Sequence, residues 1–102
     1  MEAKIDNFSC WIKDVNPESL KRDFEQMLIA SGFGLLNCME HHFSPQGYTC
    51  LWLLSESHFA IHTFPEEQKT YIELSSCNSD MYDKFLILLK EYERKKQKHD
   101  IS

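Results

Sequence analysis

Apolar residues recur along this chain with two periods, and the switches between them divide it into seven elements. Phe8 to Val15 mixes apolar and polar positions as a strand does. Asn16-Pro17-Glu18 then offers an N-cap, a proline for the first helical position and an acid for the first turn. Leu20, Phe24, Met27 and Leu28 follow at helical spacing, which predicts an amphipathic helix over residues 17–31, ended by Gly32 and Gly34. Leu35 to Phe43 reads as a second strand, and Ser44-Pro45-Gln46-Gly47 is turn chemistry. Tyr48 to Leu54 is a strong strand, His58 to Phe64 is another, Pro65 to Lys69 reads as a turn, and Thr70 to Ser75 is a fifth strand. Asn78 or Ser79 caps a second helix whose apolar face is Met81, Tyr82, Phe85, Leu86, Leu88, Leu89 and Tyr92. The order β-α-β-β-β-β-α, with short connections, predicts an α+β fold of two layers. Its sheet is mostly antiparallel and carries both helices on one face. The other face needs a cover, and a second copy packed sheet against sheet is the simplest one.

Composition narrows the function classes. A chain of 102 residues has room for one domain, and such a small core gains from oligomerisation. No apolar run approaches membrane-spanning length, and the first residues lack the apolar stretch of a signal peptide. The expected location is the cytoplasm. A net charge of −5 argues against a nucleic-acid partner, which needs a basic face. The basic run Arg94-Lys95-Lys96-Gln97-Lys98 reads as the C-terminal end of a helix with a solvated tail. Cys10, Cys38, Cys50 and Cys77 form no Cys-x-x-Cys pair. In a reducing compartment they are expected as free thiols, three of them packed as small hydrophobes.

The polar residues inside the strands are harder to account for as core. Ser55-Glu56-Ser57-His58 leads into Phe59-Ala60-Ile61-His62-Thr63-Phe64-Pro65-Glu66, and burying such groups costs free energy unless each is hydrogen-bonded. By strand parity His58, Ala60, His62 and Phe64 share one face, and Ser57, Phe59, Ile61 and Thr63 the other. Ser57 stands at the strand's start, where a bend can re-aim it. Serine, histidine and cysteine can act as nucleophile, base and acid, but no Gly-x-Ser-x-Gly elbow is present and a hydrolase is weakly signalled. His41, His42, His58, His62 and Cys77 match no standard metal spacing, so no metal site is expected.

Three blocks taken together change these odds. His41-His42-Phe43-Ser44-Pro45-Gln46-Gly47, Glu56-Ser57-His58 running into Ile61-His62-Thr63-Phe64-Pro65-Glu66, and Cys77 resemble the small prokaryotic, pyruvoyl-dependent S-adenosylmethionine decarboxylases, in order and in spacing. The resemblance implies self-cleavage between Glu56 and Ser57 into residues 1–56, a beta chain, and 57–102, an alpha chain. The Ser57 hydroxyl would attack the Glu56 carbonyl to give an ester. Elimination, with His62 as the base, would then leave a pyruvoyl group at position 57 as the covalent cofactor. That group would form a Schiff base with the amine of S-adenosylmethionine and act as electron sink while carbon dioxide leaves. The resemblance further implies Cys77 as proton donor, Thr49 as a processing hydroxyl in place of the usual serine, and Phe43 stacked on the adenine. It implies Phe64 lining the site, Glu66 on the ribose hydroxyls and His58 near the substrate. The product would feed aminopropyl transfer to polyamines such as spermidine, and the expected assembly is a homodimer.

Several positions depart from the family pattern. Asn78 follows the motif cysteine where glycine is usual, and Glu73-Leu74-Ser75-Ser76 replaces the usual approach to it. Cys50 takes the place of a glycine, and residues 93–102 do not read as a final strand. They keep two alternatives open: a pyruvoyl decarboxylase of the same fold acting on another amino acid, such as ornithine or arginine, and an unprocessed homologue with a binding role.

Overall fold

The computed structural model describes the backbone of residues 3–101 and the side chains of 3–97. Five strands and two long helices follow the predicted order: β1 (Asp6–Ile12), α1 (Pro17–Ala30), β2 (Leu35–His42), β3 (Tyr48–Leu54), β4 (Ser57–Phe64), β5 (Lys69–Ser76) and α2 (Ser79–Ile101). A single turn of 3₁₀ helix, Pro65–Glu67, joins β4 to β5 where a turn was expected. The sheet order is β1-β5-β4-β3-β2, and all four pairings are antiparallel.

Alternation along each strand makes the sheet two-sided. Tyr48, Cys50, Trp52 and Leu54 of β3, Phe59 and Ile61 of β4, and Ile72 and Leu74 of β5 are buried under the helices. From α1 come Leu20, Phe24, Met27 and Leu28, and from α2 come Phe85 and Leu89. Phe24 stacks on Phe59 at 5.3 Å between ring centroids and meets Phe85 at 6.4 Å. A fully buried ring in such a position is worth about 3–5 kcal/mol when truncated to alanine. Helix α1 starts where the sequence puts it, with Asn16 Oδ1 accepting from Ser19 N at 3.0 Å.

Among the described residues, no element covers the opposite face of the sheet. Trp11, Met39, Leu51 and Leu53 stand there 42–66% exposed. A shallow groove of about 390 Å³ crosses this face between Met39, Leu51, Leu53, His58, Ala60 and His62.

Three expectations shift. Strand β1 ends at Ile12 and not Val15, because Asp14 turns toward the helix, accepting from Asn16 N at 3.0 Å and from Ser19 Oγ at 2.9 Å. Helix α2 runs past its apolar stripe to Ile101, and Lys96 in the basic run reaches back to Asp14 at 3.5 Å. Of the cysteines only Cys50 is buried; Cys10 is half-buried, and Cys38 is exposed with its sulfur 3.3 Å from that of Cys50. All four are free thiols. Among the described residues no helix is long and apolar enough to cross a membrane.

Candidate active site

The residues singled out in the sequence fall into two clusters at opposite ends of β4. The first surrounds the bond between Glu56 and Ser57. Ser55 and Glu56 form a two-residue loop, closed by the pairing of Leu54 with Ser57. Glu56 sits at φ 59°, in the left-handed region that favours glycine or asparagine, so this loop carries backbone strain of roughly 1–2 kcal/mol. The loop is braced from behind: Ser55 N donates to Gly34 O at 2.9 Å, and a Cβ at Gly34 would come 3.2 Å from Ser55 Oγ. In front of it, the Cys77 backbone N–H donates to the Glu56 carbonyl at 3.3 Å.

Ser57 opens β4 on the helix-covered face and is 8% exposed. Its hydroxyl donates to Ser76 Oγ at 3.0 Å, across the register pair Ser57↔Ser76. Ser76 was not anticipated as a site residue. The signal was nevertheless in the chain: counting outward from the turn pair Phe64↔Lys69 puts Ser76 opposite Ser57. The exposed Cys77 follows directly, and Asn78 caps α2 by accepting from Met81 N at 2.9 Å. This cap explains an asparagine where glycine was expected. His58 lies beside this cluster but on the open face, opposite Leu53 and Ser75.

The second cluster occupies the far end of the open face. One row of cross-strand partners runs Trp11, Tyr71, His62, Thr49, His41. Thr49 Oγ1 lies 3.0 Å from His62 Nδ1, which fixes the ring's orientation, and Tyr71 lies parallel to that ring at 6.2 Å. Phe43, 52% exposed, meets His41 edge-on at 4.4 Å at the mouth of the 43–47 turn. Its backbone N donates to Gly47 O at 2.8 Å, and Gly47 sits at φ 114°, a conformation that side chains rarely adopt. Phe64 packs edge-on against Trp11 at 5.7 Å. Glu66 accepts from Gln46 Nε2 at 3.4 Å, tying the 3₁₀ turn to the 43–47 turn.

Ser57 and His62 are therefore not brought together within one chain. Five residues along a strand is about 16 Å, and the odd spacing puts them on opposite faces. Cys77, Glu56 and Ser76 gather with Ser57; Thr49, Phe43, Phe64 and Glu66 gather with His62. Among the described residues no group of three or more His, Cys, Asp or Glu side chains is placed to hold a metal ion.

The sequence of the whole chain decides the family. The family model for S-adenosylmethionine decarboxylase matches residues 3–100. This chain belongs to the S-adenosylmethionine decarboxylase family. Among its relatives, the S-adenosylmethionine decarboxylase proenzyme of Prochlorococcus marinus strain MIT 9211 is 42% identical over 72 residues, 70% of this chain and 58% of that protein. The proenzyme of Brevibacillus brevis is 42% identical over 60 residues, 59% of this chain and 45% of that protein. The chain thus spans about half the length of the curated relatives it matches. The crystal structure of the adenosylmethionine decarboxylase from Aquifex aeolicus VF5 shares the fold, with a TM-score of 0.64 at 18% identity, covering 84% of this chain and 79% of that one.

Burial sets the thiols of this family member apart as well. Cys50 is pushed up to about 12, by burial first and then by the neighbouring Cys38. Cys10 is pushed up to about 11, again chiefly by burial. Burial thus keeps both thiols protonated at neutral pH, while Cys38 and Cys77 are exposed.

Proposed function

We propose that the chain is a proenzyme that cleaves itself between Glu56 and Ser57 and then decarboxylates S-adenosylmethionine. The observation that carries this reading is the strained loop with its carbonyl already held. The Glu56 carbonyl accepts from Cys77 N, beside a hydroxyl fixed in place by Ser76. A backbone N–H on that oxygen stabilises the charge that develops when Ser57 attacks, and opening the loop releases the strain at Glu56.

The same arrangement fits a pyruvoyl group at position 57. The new N-terminus would lie among Ser76, Cys77 and the start of α2. Such a group, when formed, would supply an electron sink for decarboxylation, held by Ser76, Cys77 and the start of α2. Cys77 Sγ holds the proton destined for the substrate carbon. Phe43 offers an exposed ring for the adenine, Phe64 lines the same end, and Glu66 offers a carboxylate to the ribose hydroxyls. The net charge of −5 favours a cationic sulfonium.

Within one chain His62 stands about 16 Å from its target; that target is the Ser57 Cα–H removed in the elimination, which tilts away from the serine side chain, so the reading includes a homodimer packed through the open faces. A two-fold axis running across the strands lays the His62 end of one copy over the Ser57 end of the other. Each site then takes Ser57 and Cys77 from one copy and Thr49, His62, Phe43 and Glu66 from its mate. The exposed apolar residues Met39, Leu51 and Leu53 fill the contact between them. The reading places the protein in the cytoplasm, with free thiols and a small-molecule substrate.

Intact mass and denaturing electrophoresis of the purified protein test the reading. Two fragments meeting between Glu56 and Ser57, the smaller one lacking a free amine, are expected. Substrate-dependent release of carbon dioxide from S-adenosylmethionine, and none from ornithine or arginine, completes the test. A whole chain after long incubation overturns the proposal.

A further inference from the structure

The Ser57 hydroxyl is held in one direction by a network that begins at α2. Ser76 is 1% exposed. Its hydroxyl donates to the Asn78 carbonyl at 3.2 Å and accepts from the Asn78 N–H at 3.0 Å. A serine hydroxyl has one proton and two lone pairs. With the proton and one lone pair committed to Asn78, what remains for Ser57 is a lone pair. Ser57 must therefore donate, as its 3.0 Å contact to Ser76 Oγ is arranged to do. Asn78 is fixed in its turn, because its carbonyl accepts from Tyr82 N at 3.0 Å and its Oδ1 from Met81 N at 2.9 Å. The polarity of the whole chain of hydroxyls is thus set by the first turn of a helix.

A donating hydroxyl is a better nucleophile than a free one. Its proton is engaged, its oxygen carries more negative charge, and its lone pairs point away from the acceptor. We propose that Ser76, polarised by Asn78 at the start of α2, is the positioning hydroxyl that aims and activates Ser57 for attack on the Glu56 carbonyl. The inference rests on the self-cleavage reading above. In the step, Ser57 Oγ bonds to the Glu56 carbonyl carbon and the C–N bond between the two residues breaks. The hydroxyl proton ends on the freed Ser57 amine, so an ester and an amine form with no further reactant. Ser76 holds the hydrogen of the attacking group while Cys77 N–H takes the charge on the carbonyl oxygen.

Ser76→Thr and Ser76→Val test this, since the two side chains have nearly the same shape and differ in the hydroxyl. Cleavage is followed by intact mass after synthesis of the full chain, with hydroxylamine added to parallel samples to cut any accumulated ester. Ser76→Thr is expected to cleave within about twofold of the parent. Ser76→Val is expected to be slowed about tenfold or more, with its whole chains resistant to hydroxylamine because the ester has not formed. Should Ser76→Val fail to show a cooperative melt, Ser76→Ala is read in the same way. Equal rates for the threonine variant and a hydroxyl-free variant overturn the role of Ser76. So does hydroxylamine cleavage of the valine or alanine chain, which would mean that the ester forms without it. A parent chain that stays whole and resists hydroxylamine overturns self-cleavage itself, and the role of Ser76 with it. A parent that cleaves alongside an unimpaired valine variant overturns the role of Ser76 alone.

Discussion

Mixing two inactive variants tests whether each site is shared between copies. On the proposed reading Ser57→Ala removes the nucleophile, and His62→Ala removes the base. Within one chain the two residues lie about 16 Å apart along β4, whereas proton transfer needs about 3 Å. An intramolecular contribution from His62 is therefore negligible, and neither variant should cleave alone. Random re-pairing of equal amounts gives about half of the His62→Ala chains a Ser57→Ala mate. Each such dimer holds one complete site, made of Ser57 from the first chain and His62 from the second. About half of the His62→Ala chains should then be cut, and none of the Ser57→Ala chains. Tags of different size on the two variants let denaturing electrophoresis count each separately after co-refolding. Two results refute the reasoning: no cleavage in the mixture while the parent chain cleaves, or cleavage of isolated His62→Ala at the parental rate.

Further consequences concern the strained loop, the open face, the thiols and acid stability. In a Ser57→Ala background, Glu56→Gly should raise stability by about 1 kcal/mol, or about 4–8 °C in Tm, because glycine adopts the left-handed conformation at no steric cost; a lower Tm by calorimetry would contradict strain at that position. Leu53→Asp should leave the fold intact within about 0.5 kcal/mol, since Leu53 is half exposed, while sedimentation should show the monomer and mass spectrometry a whole chain. Iodoacetamide at pH 8 should label the exposed Cys38 and Cys77 well before Cys10 and Cys50, whose thiols burial holds up at about 11 and about 12; peptide mass mapping at short times reads the order. The Glu40 carboxyl is held below its ordinary 4.5, first by the hydrogen bond from Tyr48 Oη at 2.5 Å and then by Lys21. Its contribution is complete above that ordinary value and is lost as pH falls through the lower folded one. Glu40→Gln should accordingly lose less Tm than the parent between pH 6 and about pH 3 by circular dichroism.

Much of the fold is legible because burial alternates along the strands and recurs along the helices. Tyr48 to Leu54 places four buried side chains at period two, and Leu20, Phe24, Met27 and Leu28 place one stripe on α1. The elements drift where a polar side chain, not an apolar one, sets the boundary. Asp14 ends β1 by bonding Asn16 and Ser19, and no apolar pattern announces that. For the candidate site, the sequence offers residues but not their arrangement. Ser57 and His62 stand in one motif, and the motif invites reading them as one site. Strand geometry says otherwise: an odd spacing means opposite faces, and five residues means most of the length of β4. Ser76 shows the converse. It is 19 residues from Ser57 and belongs to no block of the resemblance, yet the antiparallel register of β4 and β5 puts it within one hydrogen bond. Contiguity in sequence thus separates the two partners that the resemblance joins, and the sheet joins two that it leaves apart. On the proposed reading, a chain whose nucleophile and base sit at opposite ends of one strand has two half-sites and an uncovered apolar face between them, and self-association through that face would complete both at once.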